Sequence, residues 1–159
     1  ILYMLDKVDF PLTTSQISEF VLDKGYTTYF KLQEALSDLA ESGLIRTETT
    51  HNRTLYHLTE NGAETILYFS NKISSAIRKD IDEFLKEKQY DLKEEAAVKS
   101  DYYLNTNREY EVRCQIVESG SSLIDLKLTV PTEKEAEAIA NHWNAKSQEI
   151  YTLLLSNLL

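Results

Sequence analysis

The sequence predicts an α+β fold in which a helical part with one short hairpin precedes an antiparallel sheet and a final helix. Three observations predict it. Up to about residue 88, apolar residues recur at steps of three and four, the mark of helices with one buried face. A single interruption, LIRTETTHNRTLYHLT from Leu44 to Thr59, reads as two short β-branched and aromatic strands around a polar tip. From about Ala97 to Val130 the period changes to two, and after Pro131 it returns to helical.

The first helix is expected over Ile1–Lys7, with Leu2, Tyr3 and Leu5 inward, and Pro11 ends that stretch because it cannot continue a helix. Thr13 and Gln16 have capping-box spacing, and Leu12 and Ile17 have staple spacing, so a second helix starts here. It carries Ile17, Phe20 and Val21 and stops at Gly25. A third helix follows from about Thr28 to Ser42, with Leu32, Ala35, Leu36 and Leu39 on one face and Lys31, Glu34, Asp38 and Glu41 on the other. After the hairpin, Ile66, Phe69, Ile73, Ile77, Ile81 and Phe84 form one stripe that predicts a single long helix over Glu60–Lys88.

Three strands come next, in VKSDYYLNT, REYEVRCQIVES and LIDLKLTV, with SGSS as the turn between the last two. Val112, Cys114 and Ile116 share a face with Ile124, Leu126 and Leu128, and the opposite face is mixed in charge: Glu109, Glu111, Arg113, Asp125 and Lys127. Thr132 with Glu135 caps a last helix, about Glu133–Asn157, whose Ala136, Ile139, Trp143, Ile150 and Leu154 are spaced to cover the sheet.

Helix, capped helix, helix and hairpin in this order describe a winged helix-turn-helix. The expected whole is therefore a winged helix-turn-helix domain over residues 1–70, a long connecting helix over 71–95, and a lobe over 96–159 for dimerisation or ligand sensing. That last lobe is a C-terminal three-stranded antiparallel sheet covered by one helix. In such a fold the start of the third helix enters a major groove and the wing reaches the neighbouring backbone. The residues in position to touch double-stranded DNA are Thr27, Thr28, Tyr29, Lys31 and Gln33 on the helix, and Thr50, His51, Asn52 and Arg53 on the wing. Short polar side chains at a helix N-terminus suit phosphate, since unpaired backbone N–H groups point there. The stretch Thr49–Leu58 holds no acid.

Charge counts the other way. The chain of 159 residues has 17 Lys and Arg against 26 Asp and Glu, a net charge of −9. Neither half is basic, which removes a general electrostatic hold on nucleic acid. The alternative is a winged-helix protein-interaction module with no DNA role, its polar hairpin tip merely solvated. Enzyme chemistry finds no support. His51, His57 and His142 have no metal-ligand spacing with one another or with Cys114, and there is no Gly-rich phosphate loop, so no catalytic residue, metal or cofactor is expected. Cys114 falls on the apolar face of its strand and is expected to be a buried, inert thiol.

The final IYTLLLSNLL is apolar on more than one face. Ile150, Leu154, Leu155 and Leu158 are therefore expected at a homodimer interface, which would give the two half-site arrangement of dimeric regulators. A single Cys, no basic leader and no run of ~18 apolar residues point to a cytoplasmic protein with no membrane span. A start at Ile1 instead of Met suggests a fragment.

The stretch ILYMLDKVDFPLTTSQISEFVLDKGYTTYFKLQEALSDLAESGLI, with YHLTENG after it, resembles an uncharacterised bacterial domain-of-unknown-function family regarded as winged-helix and transcription-regulator-like. Tyr56–Gly62 is also similar to the hairpin-to-helix junction of the PadR and MarR families. The resemblance implies the fold and a regulatory role. It supplies no functional residue, operator or effector.

Overall fold

The computed structural model describes residues 1–51, 53–118 and 120–159. Among these the chain is α+β, with six α-helices and two three-stranded antiparallel sheets. It divides into two compact units, Ile1–Thr49 with Arg53–Ala96, and Thr50–Asn52 with Ala97–Leu159.

The first unit begins with α1 (Leu2–Asp6), β1 (Leu12–Thr13), α2 (Thr14–Asp23) and α3 (Tyr29–Glu41). The Thr13–Gln16 capping box is present in full. The Thr13 hydroxyl accepts from the Gln16 backbone N–H at 3.1 Å, and Gln16 Oε1 accepts the Thr13 N–H at 2.9 Å. Gln16 is buried, and its Nε2 donates to the Leu92 carbonyl and to Glu95, so the same side chain ties α2 to a distant helix. The hairpin is β2 (Ile45–Thr49) and β3 (Thr54–Leu58).

Two expectations need correction here. The C-terminal sheet is not the only one: β1 pairs with β3, Leu12 opposite Tyr56 and Thr13 opposite Leu55, which makes a sheet of order β1-β3-β2. Two residues give no readable period, so β1 was invisible as a pattern. Nor is there one long helix after the hairpin. Helix α4 (Glu60–Phe69) passes into a short 3-10 turn at Ser70–Lys72, Ile73 is extended (φ −81°, ψ 130°), and α5 runs Ser75–Ala97. The Ser74 hydroxyl accepts from Ile77 N–H at 3.2 Å, the N-cap bond that starts α5 afresh. Phe69, the last residue of α4, is 57% exposed, while Ile66 and Ile81 are buried.

Met4, Leu5, Leu12, Ile17, Phe20, Leu32, Leu36, Ile45, Tyr56, Ile66, Ile81, Leu85 and Leu92 form one continuous core in this unit. Each such side chain contributes ~1.5–3 kcal/mol by leaving water.

In the second unit β4 (Val98–Leu104), β5 (Tyr110–Glu118) and β6 (Ser121–Val130) form a meander of order β4-β5-β6, and α6 (Glu133–Leu158) packs on it. Val112, Cys114, Ile116, Ala136, Ala140 and Trp143 are its buried centre. Trp143 donates its indole N–H to the Gln115 carbonyl at 3.1 Å, and Ser100 donates to the Ala140 carbonyl at 2.8 Å, so two polar groups inside this layer are satisfied. The outer face carries diagonal charge pairs. Arg113 Nε meets Asp125 Oδ1 at 2.9 Å, and Lys127 Nζ meets Glu111 Oε1 at 3.3 Å. The Thr132–Glu135 capping box opens α6.

Candidate nucleic-acid interface

Helix α3 starts at Tyr29 because Thr28 is extended (φ −96°, ψ 159°) and takes the N-cap position. The Thr28 side chain makes no capping hydrogen bond, and the first turn holds no acidic residue. Backbone N–H groups at this end and the positive end of the helix dipole are thus not neutralised locally, which is what an approaching phosphate needs. Around that end Thr28, Tyr29 and Lys31 are exposed and Thr27 is half-buried. Gln33 is half-buried, with its Nε2 enclosed and without a hydrogen-bond partner among the described residues.

Phe30 went unnoticed in the sequence. It is 83% exposed and its ring meets that of Tyr29 edge-on, at 6.1 Å between centroids. The signal was available: two residues before buried Leu32, a helical side chain lies ~200° around the axis and points away from the core. Arg46, exposed on β2 opposite His57, was also missed.

The hairpin residues expected to contact DNA have contacts within the chain. Arg53 belongs to the first unit, and its Nη1 donates to the Glu95 carbonyl at 2.8 Å. Thr50 and His51 group with the second unit. The His51 backbone N–H donates to Asp101 Oδ1 at 3.2 Å, and its imidazole lies 4.2 Å from the Tyr102 ring, centroid to centroid. Burial first, then the nearby carboxylates of Glu133 and Glu137, push the Tyr102 hydroxyl above its ordinary pKa. Asn52 lies outside the described residues. His57 Nε2 is 3.0 Å from Glu48 on the same hairpin, a local pair.

Cys114 is 1% exposed, and burial pushes its thiol up to about 11. On α6, Ile150 packs against the sheet core and Leu154 is half-buried, whereas Leu155 and Leu158 are 40% and 78% exposed. No described helix is long and apolar enough to cross a membrane.

Against this geometry stand the comparisons. The model of a family described as a domain of unknown function, DUF4364, matches residues 1–158. The chain belongs to this family. No curated protein and no solved structure matches it.

Proposed function

We propose that this DUF4364 chain is a non-enzymatic, cytoplasmic DNA-binding transcriptional regulator that acts as a homodimer, with its first unit working as a winged helix. The observation that carries the reading is the start of α3. An uncapped helix N-terminus without first-turn acids presents Thr28, Tyr29 and Lys31 to solvent, and a hairpin follows the same helix. Phosphate binding at the helix end fixes register, and Tyr29 and Lys31 supply contacts beside it. Because His51 and Arg53 hold groups of their own chain, wing contact would exchange those bonds for phosphate. With so few cations the affinity of one copy is low, and two copies on two half-sites are required. Sequence selection from a randomised duplex library at low salt tests the reading. Enrichment of a two-fold symmetric site supports it, and enrichment of nothing refutes it.

A specific observation favours a second reading, a protein-interaction module. Exposed Phe30 and Tyr29 form an aromatic pair, and Glu34, Asp38 and Glu41 are exposed along the same helix. A basic partner protein lost on Glu34→Lys and Asp38→Lys, and kept on Arg53→Ala, would decide for it.

A further inference from the structure

Strand β6 is an edge. In the order β4-β5-β6 it has β5 on one side and no described strand on the other. Helix α6 packs chiefly on β4 and β5, so the apolar face of β6 is thinly covered, with Ile124 and Leu126 half-buried and Leu128 44% exposed. The other edge is not equivalent. On β4 the Tyr102 N–H is taken by Asp101 Oδ1 at 2.9 Å, and the same oxygen accepts from His51. An exposed strand edge is a template for another strand.

The geometry points to a second copy of this chain as the occupant of that edge, with β6 pairing antiparallel to β6 of the partner about a two-fold axis at Leu126. The register follows from faces and charges. A two-fold axis normal to the sheet keeps both α6 helices on one face only if a residue, not a gap between residues, lies opposite its own copy. Centring on Asp125 sets carboxylate against carboxylate. Centring on Lys127 sets ammonium against ammonium. Centring on Leu126 sets Asp125 against the partner's Lys127 twice and Ile124 against the partner's Leu128 twice. Of these three registers this one alone sets opposite charges against each other and apolar against apolar side chains. The register shift opposite Ile116 and Val117 leaves Leu123 as an extra residue on β6, and with Ser122 donating to the Ile124 carbonyl it ends the regular stretch of β6 on one side, so pairing spans 124–128. Asp125 and Lys127 already form the diagonal pairs with Arg113 and Glu111, and the dimer extends that row across the seam.

This inference rests on the homodimer reading above and adds its interface. The test uses the two charge variants Asp125→Lys and Lys127→Asp of the full chain, in analytical ultracentrifugation across a dilution series. Each alone places like charges opposite each other twice and should weaken self-association about tenfold or more. Mixed together, they place opposite charges at both positions, so a heterodimer should form. A second measurement needs no charge: Asp125→Cys mixed with Lys127→Cys should give an inter-chain disulfide on oxidation, and either alone much less, since like positions then lie beyond disulfide reach. A monomeric native chain overturns both this proposal and the homodimer reading. A dimer that survives in both charge variants but is lost with Leu158→Asp on α6 overturns the β6 interface and leaves the homodimer standing. Weakened variants with neither heterodimer nor mixed disulfide also overturn it.

Discussion

Cys114 is the residue whose chemistry is most sharply set by its place. Its position on the apolar alternation of β5 was enough to predict a buried thiol, and the thiol is 1% exposed with its pKa pushed up to about 11. A thiol reagent at pH 8 should therefore label the folded protein far more slowly than the chain in denaturant; equal rates would contradict the burial. The folded thiol holds its proton more tightly than the unfolded one. Its contribution is thus complete below an ordinary pKa of about 9 and lost as pH rises towards 11. The carboxylates of the outer face have the opposite sign. A hydrogen bond from Arg113 lowers Asp125, and bonds from Tyr103 and Lys127 lower Glu111, so their contribution is present at neutral pH and lost on acidification through their depressed values. Urea midpoints measured from pH 3 to 11 should fall at both ends. Arg53 was legible as a basic residue in an acid-free stretch, but its bond to the Glu95 carbonyl was not, because the partner lies 42 residues away. If it contacts DNA, Arg53→Ala should weaken binding similarly across sequences in a fluorescence titration, and by about 1–3 kcal/mol at one position if it reads a base edge.

At the scale of elements, both capping boxes, the hairpin and the two-residue period of β5 and β6 could be read because each is a local pattern with a local cause. The break between α4 and α5 could not be read from the stripe, which continues in step through it. The countersignal was polar: Ser70, Asn71, Ser74 and Ser75 cluster where the helix stops, and Ser74 caps the restart. Gly62 shows another limit. LTENG reads as a helix start, yet the need for glycine comes from tertiary packing. A Cβ at position 62 would sit 2.0 Å from the Leu44 carbonyl oxygen, which itself accepts from Thr59 Oγ1 at 2.9 Å. Backbone lies on the far side of that contact, so the clash cannot be relieved by a rotamer. Gly62→Ala should cost about 1–3 kcal/mol in denaturant unfolding, although alanine favours helices elsewhere. Thr13→Ala removes a cap hydroxyl that is itself buried and should cost ~1–2 kcal/mol.

For the whole molecule, charge and arrangement pull apart. A net charge of −9 opposes any diffuse attraction to nucleic acid, while the order of elements in the first unit and the bare start of α3 favour a docked, sequence-dependent contact. Composition displayed the first and periodicity the second. Neither revealed Phe30 and Tyr29 as an exposed aromatic pair, since exposure depends on what else packs around α3. The central claim, that this DUF4364 chain reads DNA as a dimer, is tested most directly by selection from a randomised duplex library with the purified full chain at low salt. The account predicts a two-fold symmetric consensus, with affinity that falls on Lys31→Ala and decreases with salt by the modest slope of a few phosphate contacts per dimer. Recovery of unenriched, random sequence would contradict it.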